Sequence, residues 1–291
     1  MIDPLKVGVT TARRPSPAEE ADAREVAERE GFIFRPRRGR SRTALLAGDP
    51  AKGEAPLDVL IVVTPERVEA YTAGEEAGGD RPGGRRGGCG PLFFHPNMAK
   101  LRIQRLRHGG GDPMVAAMGL ERGMHVLDCT AGLGADAVVA SFVCGEEGKV
   151  VGWESSPVVA CVIREGMARY RQPARSELPE LVAAIRRVRV ERRDHREGLK
   201  ELPDGAFDIV YFDPMFRRPL LESEALLPLR LFADPRPLTP EVLAEAKRVA
   251  RRRVVVKDRA EGEELDRLGL PVRHGGGNSR IVYGIWTRSG G

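Results

Sequence analysis

The chain is predicted to be an α/β protein. Its main body is expected to be a Rossmann-like, seven-stranded sheet closed by an antiparallel terminal hairpin, with a small α+β unit in front. Three observations predict this. From His125 onward, strand candidates at 125–129, 149–154, 187–192, 207–213 and 252–257 alternate with helix candidates at 135–144, 157–170, 195–201, 239–251 and 261–268. Such alternation argues for a parallel sheet with helices on both faces. The stretch Val126-Leu127-Asp128-Cys129-Thr130-Ala131-Gly132-Leu133-Gly134-Ala135-Asp136 reads as a strand running into a glycine turn that opens a helix. Two final strand candidates, 270–274 and 280–286, flank Gly275-Gly276-Gly277-Asn278 and close the chain as a hairpin.

The N-terminal elements follow in order. Residues 5–10 read as a strand. Residues 17–30 read as a helix with Ser16 as its N-cap, Pro17 at its first position and Gly31 at its end. Short strands are expected at 32–34 and 43–46, a longer one at 58–64, and a partner for it at 67–71. Residues 1–73 are therefore assigned to the α+β domain. The Gly/Arg/Pro-rich run 74–90 is assigned to a linker, and 91–291 to the main domain. After an apolar aromatic segment at 91–98, a basic helix is expected from Ala99 to Arg107. A glycine break at Gly109-Gly110-Gly111 and a second helix over 113–119 follow.

At 291 residues, 41% hydrophobic and 31% charged, the chain has the composition of a soluble globular protein. No apolar run is long enough to span a bilayer, and the N-terminus lacks a signal-peptide pattern, so a cytoplasmic location is expected. Cys89, Cys129, Cys144 and Cys161 are scattered without a C-x-x-C pair, which argues against a zinc ribbon or a disulfide framework. No metal site is expected, and His95 and His108 lack ligand spacing.

A net charge of +5 favours an anionic partner. The basic residues fall into four clusters: Arg35 to Arg42; Lys100 to His108; Arg186 to Arg196; and Arg248 to Arg253. Solvated surface explains any one of them. The first two lie outside the expected cofactor domain and are the better candidates for phosphate contacts.

The glycine turn is a candidate cofactor cradle. Gly132 and Gly134 let backbone approach a ligand and aim helix N–H groups at it, while Asp128 closes the strand. Glu154 ends the second strand, where an acid usually holds ribose hydroxyls, 26 residues after Asp128. Taken alone, the turn also fits a nicotinamide cofactor. The terminal hairpin argues instead for the seven-stranded methyltransferase sheet.

Farther on, an apolar strand delivers Asp213-Pro214-Met215-Phe216 to the carboxyl edge of the sheet. An exocyclic amine on a nucleobase is a poor nucleophile, because its lone pair is delocalised. The Asp213 carboxylate and the Pro214 carbonyl can accept its protons, and Phe216 can stack on the base. A base from a duplex or folded RNA has to be unstacked to enter. Together the two segments point to S-adenosylmethionine chemistry on a nucleic acid. A methyltransferase for a small molecule or protein, and a nicotinamide oxidoreductase, remain the alternatives.

The run from Met98 to Tyr283 resembles the bacterial 16S ribosomal RNA guanine-N2 methyltransferases of the RsmJ type, and looks closer to a Gram-positive branch of uncharacterised class I methyltransferases. The resemblance rests on the segments Asp128-x-Thr130-Ala131-Gly132-Leu133-Gly134-x-Asp136, Glu154-x-x-Pro157-Val158-Val159-Ala160, Tyr211-x-Asp213-Pro214-Met215-Phe216 and Arg253-Val254-Val255-Val256-Lys257. It implies the class I methyltransferase fold, S-adenosylmethionine as cofactor and ribosomal RNA as partner. Cofactor contacts then fall on Ala135, Asp136, Glu154, Ser155, Asp194, His195 and Asp213. Two positions depart from the family pattern: Ala135 stands where an arginine is expected, and Asp194-His195 where a serine pair is expected. The N-terminal segment matches poorly.

Overall fold

A computed structural model describes residues 5–72, 90–171, 178–214, 232, 234–270, 272–275 and 280–289. Met215, Phe216, Cys89, Asn278 and most of the 74–90 run lie outside the described residues. The described chain divides into two compact units. The first holds the residues up to His95, Cys161–Arg171 and Phe232, and the second holds the rest.

The first unit is built on a five-stranded sheet. Its strands are β1 (Val7–Thr11), β2 (Ile33–Phe34), β3 (Val59–Val63), β4 (Val68–Thr72) and β5 (Leu92–Phe93), ordered β2-β1-β3-β4-β5. The first three are parallel and the last two antiparallel additions. Helix α1 (Pro17–Glu30) carries β1 over to β2. Its start is a capping box: Glu19 donates its backbone N–H to the Ser16 hydroxyl (3.3 Å) and accepts from the Ser16 N–H (2.7 Å). Gly31, at φ +70°, closes it in the left-handed region.

One expectation fails here. Residues 43–46 are not a strand but belong to helix α2 (Arg42–Ala47). The Ser41 hydroxyl accepts from the Ala44 N–H at 3.1 Å, and adjacent Leu45 and Leu46 are both buried. A half-exposed strand would turn consecutive side chains to opposite faces, so this burial belongs to a helix packed by its cap.

The second unit contains β6 (His125–Asp128), β7 (Lys149–Glu154), β8 (Val188–Arg192), β9 (Phe207–Phe212), β10 (Ala250–Arg259), β11 (Val272–His274) and β12 (Ile281–Thr287), ordered β11-β12-β10-β9-β6-β7-β8. The five central and outer strands β10-β9-β6-β7-β8 are parallel, and β12 runs antiparallel to both β10 and β11. This is the expected seven-stranded sheet with its reversed hairpin. The helices are α3 (Asn97–Arg107), α4 (Pro113–Met118), α5 (Ala135–Cys144), α6 (Pro157–Arg169, shared with the first unit), α7 (Pro179–Arg187), α8 (His195–Gly198), α9 (Pro240–Val249) and α10 (Glu264–Arg267). Leu127, Trp153, Val210, Phe212, Val254 and Val256 from the strands pack with Val242, Leu243 and Ala246 of α9 to form its core.

Helix α7 lies in a stretch for which the sequence predicts no element. It passes into β8 with no intervening turn, so its basic end looked like surface charge. Arg187 instead donates to the Ser141 carbonyl (3.1 Å), and the Ser141 hydroxyl donates to the Ala184 carbonyl (2.8 Å), fastening α7 to α5.

The basic clusters are largely consumed within the fold. Arg35 is 4% exposed and gives a guanidinium N–H to the Leu45 carbonyl at 2.6 Å, and Arg40 pairs with Glu54 at 2.6 Å. Arg248 bonds Asp204 and Glu245 at 2.7 Å each, Arg252 bonds Glu121 at 3.0 Å, and Arg193 stacks over Trp153. These assignments withdraw Arg35 and Arg40 as free phosphate ligands. No helix among the described residues is long and apolar enough to cross a membrane.

Candidate active site

The glycine turn takes the shape its sequence suggested. Thr130 donates its N–H to Asp128 Oδ1 (3.1 Å), Ala131 donates to the Trp153 carbonyl (2.9 Å), and Gly134 donates to the Ala131 carbonyl (2.7 Å). Gly132 sits at φ +50° and Gly134 at φ +75°, a region costly for side chains with a Cβ. Gly134 is the N-cap of α5 and brings no capping side chain, so the first-turn N–H groups of α5 lack a side-chain acceptor. Such an end attracts a polar or anionic ligand group. Ala135 is the first residue of α5.

Glu154, 7% exposed at the end of β7, accepts from the Gly132 N–H through Oε2 (3.1 Å) and from the Ser156 N–H through Oε1 (2.8 Å). Burial raises its pKa, against these two donors. Ser155 beside it is half-buried. Asp128, 2% exposed, is pushed well above the usual carboxylate range by burial and by the neighbouring Asp136 charge.

Asp194 is the N-cap of α8. It accepts from the Arg196 N–H at 2.9 Å and pairs with Arg236 at 2.6 Å. Burial opposes ionisation, but these donors hold its pKa below the ordinary value. His195 is 8% exposed, lies edge-to-face on Phe212 (5.5 Å between centroids), and has its Nε2 buried without a hydrogen-bond partner. Burial first, then the Arg196 cation, push its pKa down to about 4, so it is neutral at pH 7. It is a buried core imidazole.

At the end of β9, Asp213 donates its N–H to the Thr130 hydroxyl at 2.6 Å, so this corner and the cradle meet. The Lys257 ammonium of β10 lies 2.7 Å from Asp213 and 3.3 Å from Asp136. Tyr211 donates its hydroxyl to Asp136 at 2.7 Å. Arg102 of α3 also pairs with Asp136, and bonds Asp112 at 2.7 and 2.9 Å. Asp136 is thus held ionised, below its ordinary value despite burial, by Lys257 and Arg102. Asp213 is raised by burial, with Asp136 adding to the effect and Lys257 opposing it. Lys257 is raised by the two carboxylates, which outweigh its desolvation.

The structure therefore brings together Asp128, Gly132, Gly134, Ala135, Asp136, Glu154 and Asp213, with Pro214 half-buried beside the last. Phe216 lies outside the described residues. Asp136 extends its side chain into the ionic cluster, which leaves its backbone as the part facing the turn. Sequence reasoning gave no site role to Thr130, Tyr211, Arg102 or Lys257. The one available signal for Lys257 was its place at the carboxyl end of β10, next to β9. Among the described residues no group of three or more His, Cys, Asp or Glu is arranged to hold a metal.

Comparison with known proteins agrees with this geometry. Residues 93–280 match the family model described as "Putative SAM-dependent methyltransferase". The chain is 40% identical over 213 residues to the Bacillus subtilis protein YpiP, covering 73% of this chain and 76% of that one. It is 30% identical over 239 residues to ribosomal RNA small subunit methyltransferase J of Coxiella burnetii, covering 77% and 82%. Its fold is similar to that of the SAM-dependent methyltransferase NGO1261 from Neisseria gonorrhoeae, with TM-score 0.60, 19% identity and coverage of 98% and 97%. The uncapped α5 N-terminus, the two positive-φ glycines and the Glu154 carboxylate fit S-adenosylmethionine, and the family match over residues 93–280 sets the nicotinamide alternative aside. The chain belongs to the SAM-dependent methyltransferase family, on a branch with RsmJ homologues, and its cofactor is S-adenosylmethionine.

Proposed function

We propose that this methyltransferase acts on an exocyclic base nitrogen of RNA, guanine N2 in 16S ribosomal RNA being the favoured target. The observation that carries the reading is the hydrogen bond from the Asp213 N–H to Thr130, which ties an amine acceptor directly to the cofactor turn. Similarity to the Coxiella burnetii enzyme named as a ribosomal RNA small subunit methyltransferase supports it.

When bound, the cofactor supplies an electrophilic methyl group on a sulfonium. The protein's residues have the following roles. The α5 N-terminus with Ala135 and Asp136, together with Gly132 and Gly134, cradles the cofactor by backbone. Glu154 and Ser155 hold its ribose, and Asp194 accepts from its adenine amine, with His195 behind it. Asp213 and the Pro214 carbonyl accept the protons of the target amine and turn its lone pair toward the methyl group, while Phe216 stacks on the base. Alignment then accounts for much of the rate. Lys257 keeps Asp213 from taking up a proton before the amine arrives. The division into an N-terminal domain, a linker at 74–90 and a catalytic domain belongs to the same proposal.

Mass mapping of modified nucleosides in 16S ribosomal RNA, with and without the gene's product, tests the reading. A methyl group on guanine N2 that depends on the protein is expected. An unchanged modification map, with methylation of another substrate class, would refute it.

A further inference from the structure

The first unit carries a site that the methyl-transfer chemistry does not use. Strands β2, β1 and β3 are parallel and ordered 2-1-3, so the chain leaves β1 toward one side and returns on the other. In open α/β sheets, ligands bind outside the carboxyl ends of the strands where the order reverses in this way. A pocket of about 410 Å³ lies there. Arg13, just past β1, Arg37, past β2, and Thr64, past β3, line it, and Arg42 at the start of α2 completes its basic wall.

Three arginines and one acidic residue, Glu69, contribute to this lining. The Glu69 carboxylate is already engaged by Arg67 (2.8 Å) and by the Tyr71 hydroxyl (2.7 Å). The Arg42 guanidinium carbon lies over the Tyr71 ring, 4.0 Å from its centroid, which restrains the side chain. Arg37 is only 9% exposed. The loop behind it is held in an unusual shape: Arg38, at φ +42°, is the sole non-glycine among the described residues in the left-handed region. Such backbone is retained where the surroundings over-determine it, often at binding sites. Planar guanidinium forks match the geometry of a phosphate group.

We propose that this pocket binds a phosphodiester group of the RNA substrate, a second anchoring site on the N-terminal unit. The inference rests on the RNA reading above. The pocket's chemistry would also accept the phosphate of a free nucleotide, so the test separates the two.

Full-length wild type, Arg13→Ala, Arg42→Lys and the double variant Arg13→Ala/Arg42→Ala are titrated with a fluorescent single-stranded RNA across a salt series. Guanosine monophosphate is titrated in parallel. S-adenosylmethionine affinity and melting temperature report whether each variant is folded. The double variant should bind RNA at least about tenfold more weakly, with the slope of log K against log salt shallower by about 1.4, at unchanged cofactor affinity. Arg42→Lys should fall between wild type and the double variant, because it keeps the charge but loses the fork. Equal RNA affinity and slope in all four proteins would overturn the site while leaving the methyltransferase reading intact. If wild type neither binds nor methylates RNA, yet binds the nucleotide in a way the double variant does not, the RNA half of the proposal is overturned together with the reading it rests on. If exposed Arg13→Ala alone weakens RNA binding, the site is supported whatever the fate of Arg42 variants.

Discussion

Replacing Lys257 with Met removes a cation from between two carboxylates while keeping most of the side chain's volume. Lys257 is 19% exposed, and its partners Asp213 and Asp136 are 30% and 14% exposed, so the cluster is neither fully dry nor freely solvated. Removing one partner of a buried ion pair costs roughly 3–5 kcal/mol. Here Arg102 still compensates Asp136, and Asp213 can relax toward water, so about 2 kcal/mol is expected. For a unit of this size that corresponds to a fall of about 4–8 °C in melting temperature.

The pH dependence makes the prediction sharper. The folded protein already binds the Asp213 proton more tightly than the unfolded chain does, because burial raises that pKa. Such a group contributes stability that is fully present below the unfolded carboxylate value and lost as pH rises through the folded value. Without Lys257 the folded value climbs further. The deficit of Lys257→Met should therefore be largest near pH 8 and shrink toward pH 5, as Asp213 takes up a proton. Adding Asp213→Asn should recover about half of the loss. Scanning calorimetry of wild type and the two variants at several pH values is the assay. A Lys257→Met melting temperature within 1 °C of wild type at every pH would refute the cluster's energetic role.

Three further outcomes are expected. Asp213→Ala should lower methyl transfer by about a hundredfold or more in a single-turnover assay while leaving cofactor affinity within a few-fold, since its proposed role is at the amine; full turnover would remove Asp213 from the mechanism. Glu154→Gln leaves only one acceptor oxygen for two backbone donors, so cofactor affinity by calorimetry should drop roughly 10- to 100-fold. His195 is depressed to about 4, so the wild type should lose stability as pH falls below about 6.5, by up to about 3 kcal/mol near pH 4, and His195→Gln should flatten that stretch of the curve; an unaltered acid limb would mean the imidazole is not buried neutral.

The main sheet was legible because its signals are local. Three of the strands were apolar runs ended by an acid, at Asp128, Glu154 and Asp213, and Gly132 and Gly134 announced the turn in their own residues. The acids at strand ends, Asp128, Glu154 and Asp213, were readable for the same reason: a parallel sheet brings its carboxyl ends to one edge. What failed depended on distant partners. Arg102 looked like one more charge on a basic helix, because nothing local reveals that Asp136, 34 residues later, would meet it. Lys257 meets Asp213 and Asp136 only because β10 pairs with β9, which no local pattern shows. The 43–46 segment read as a strand because its burial is decided by the core of Leu45, Leu46, Leu57 and Leu60, which the local run does not show. The α7 helix was hidden by a junction with β8 that has no turn residues at all.

The Thr130 hydroxyl and the Asp213 N–H are joined at 2.6 Å across 83 residues of chain. Two stretches far apart in the gene thus share one atom-to-atom constraint. Substitutions that shift either stretch will be tolerated mainly in the company of a matching change in the other, so drift at the turn and drift at the acidic corner should be inherited as pairs, and the fitness effect of one cannot be measured without stating the other.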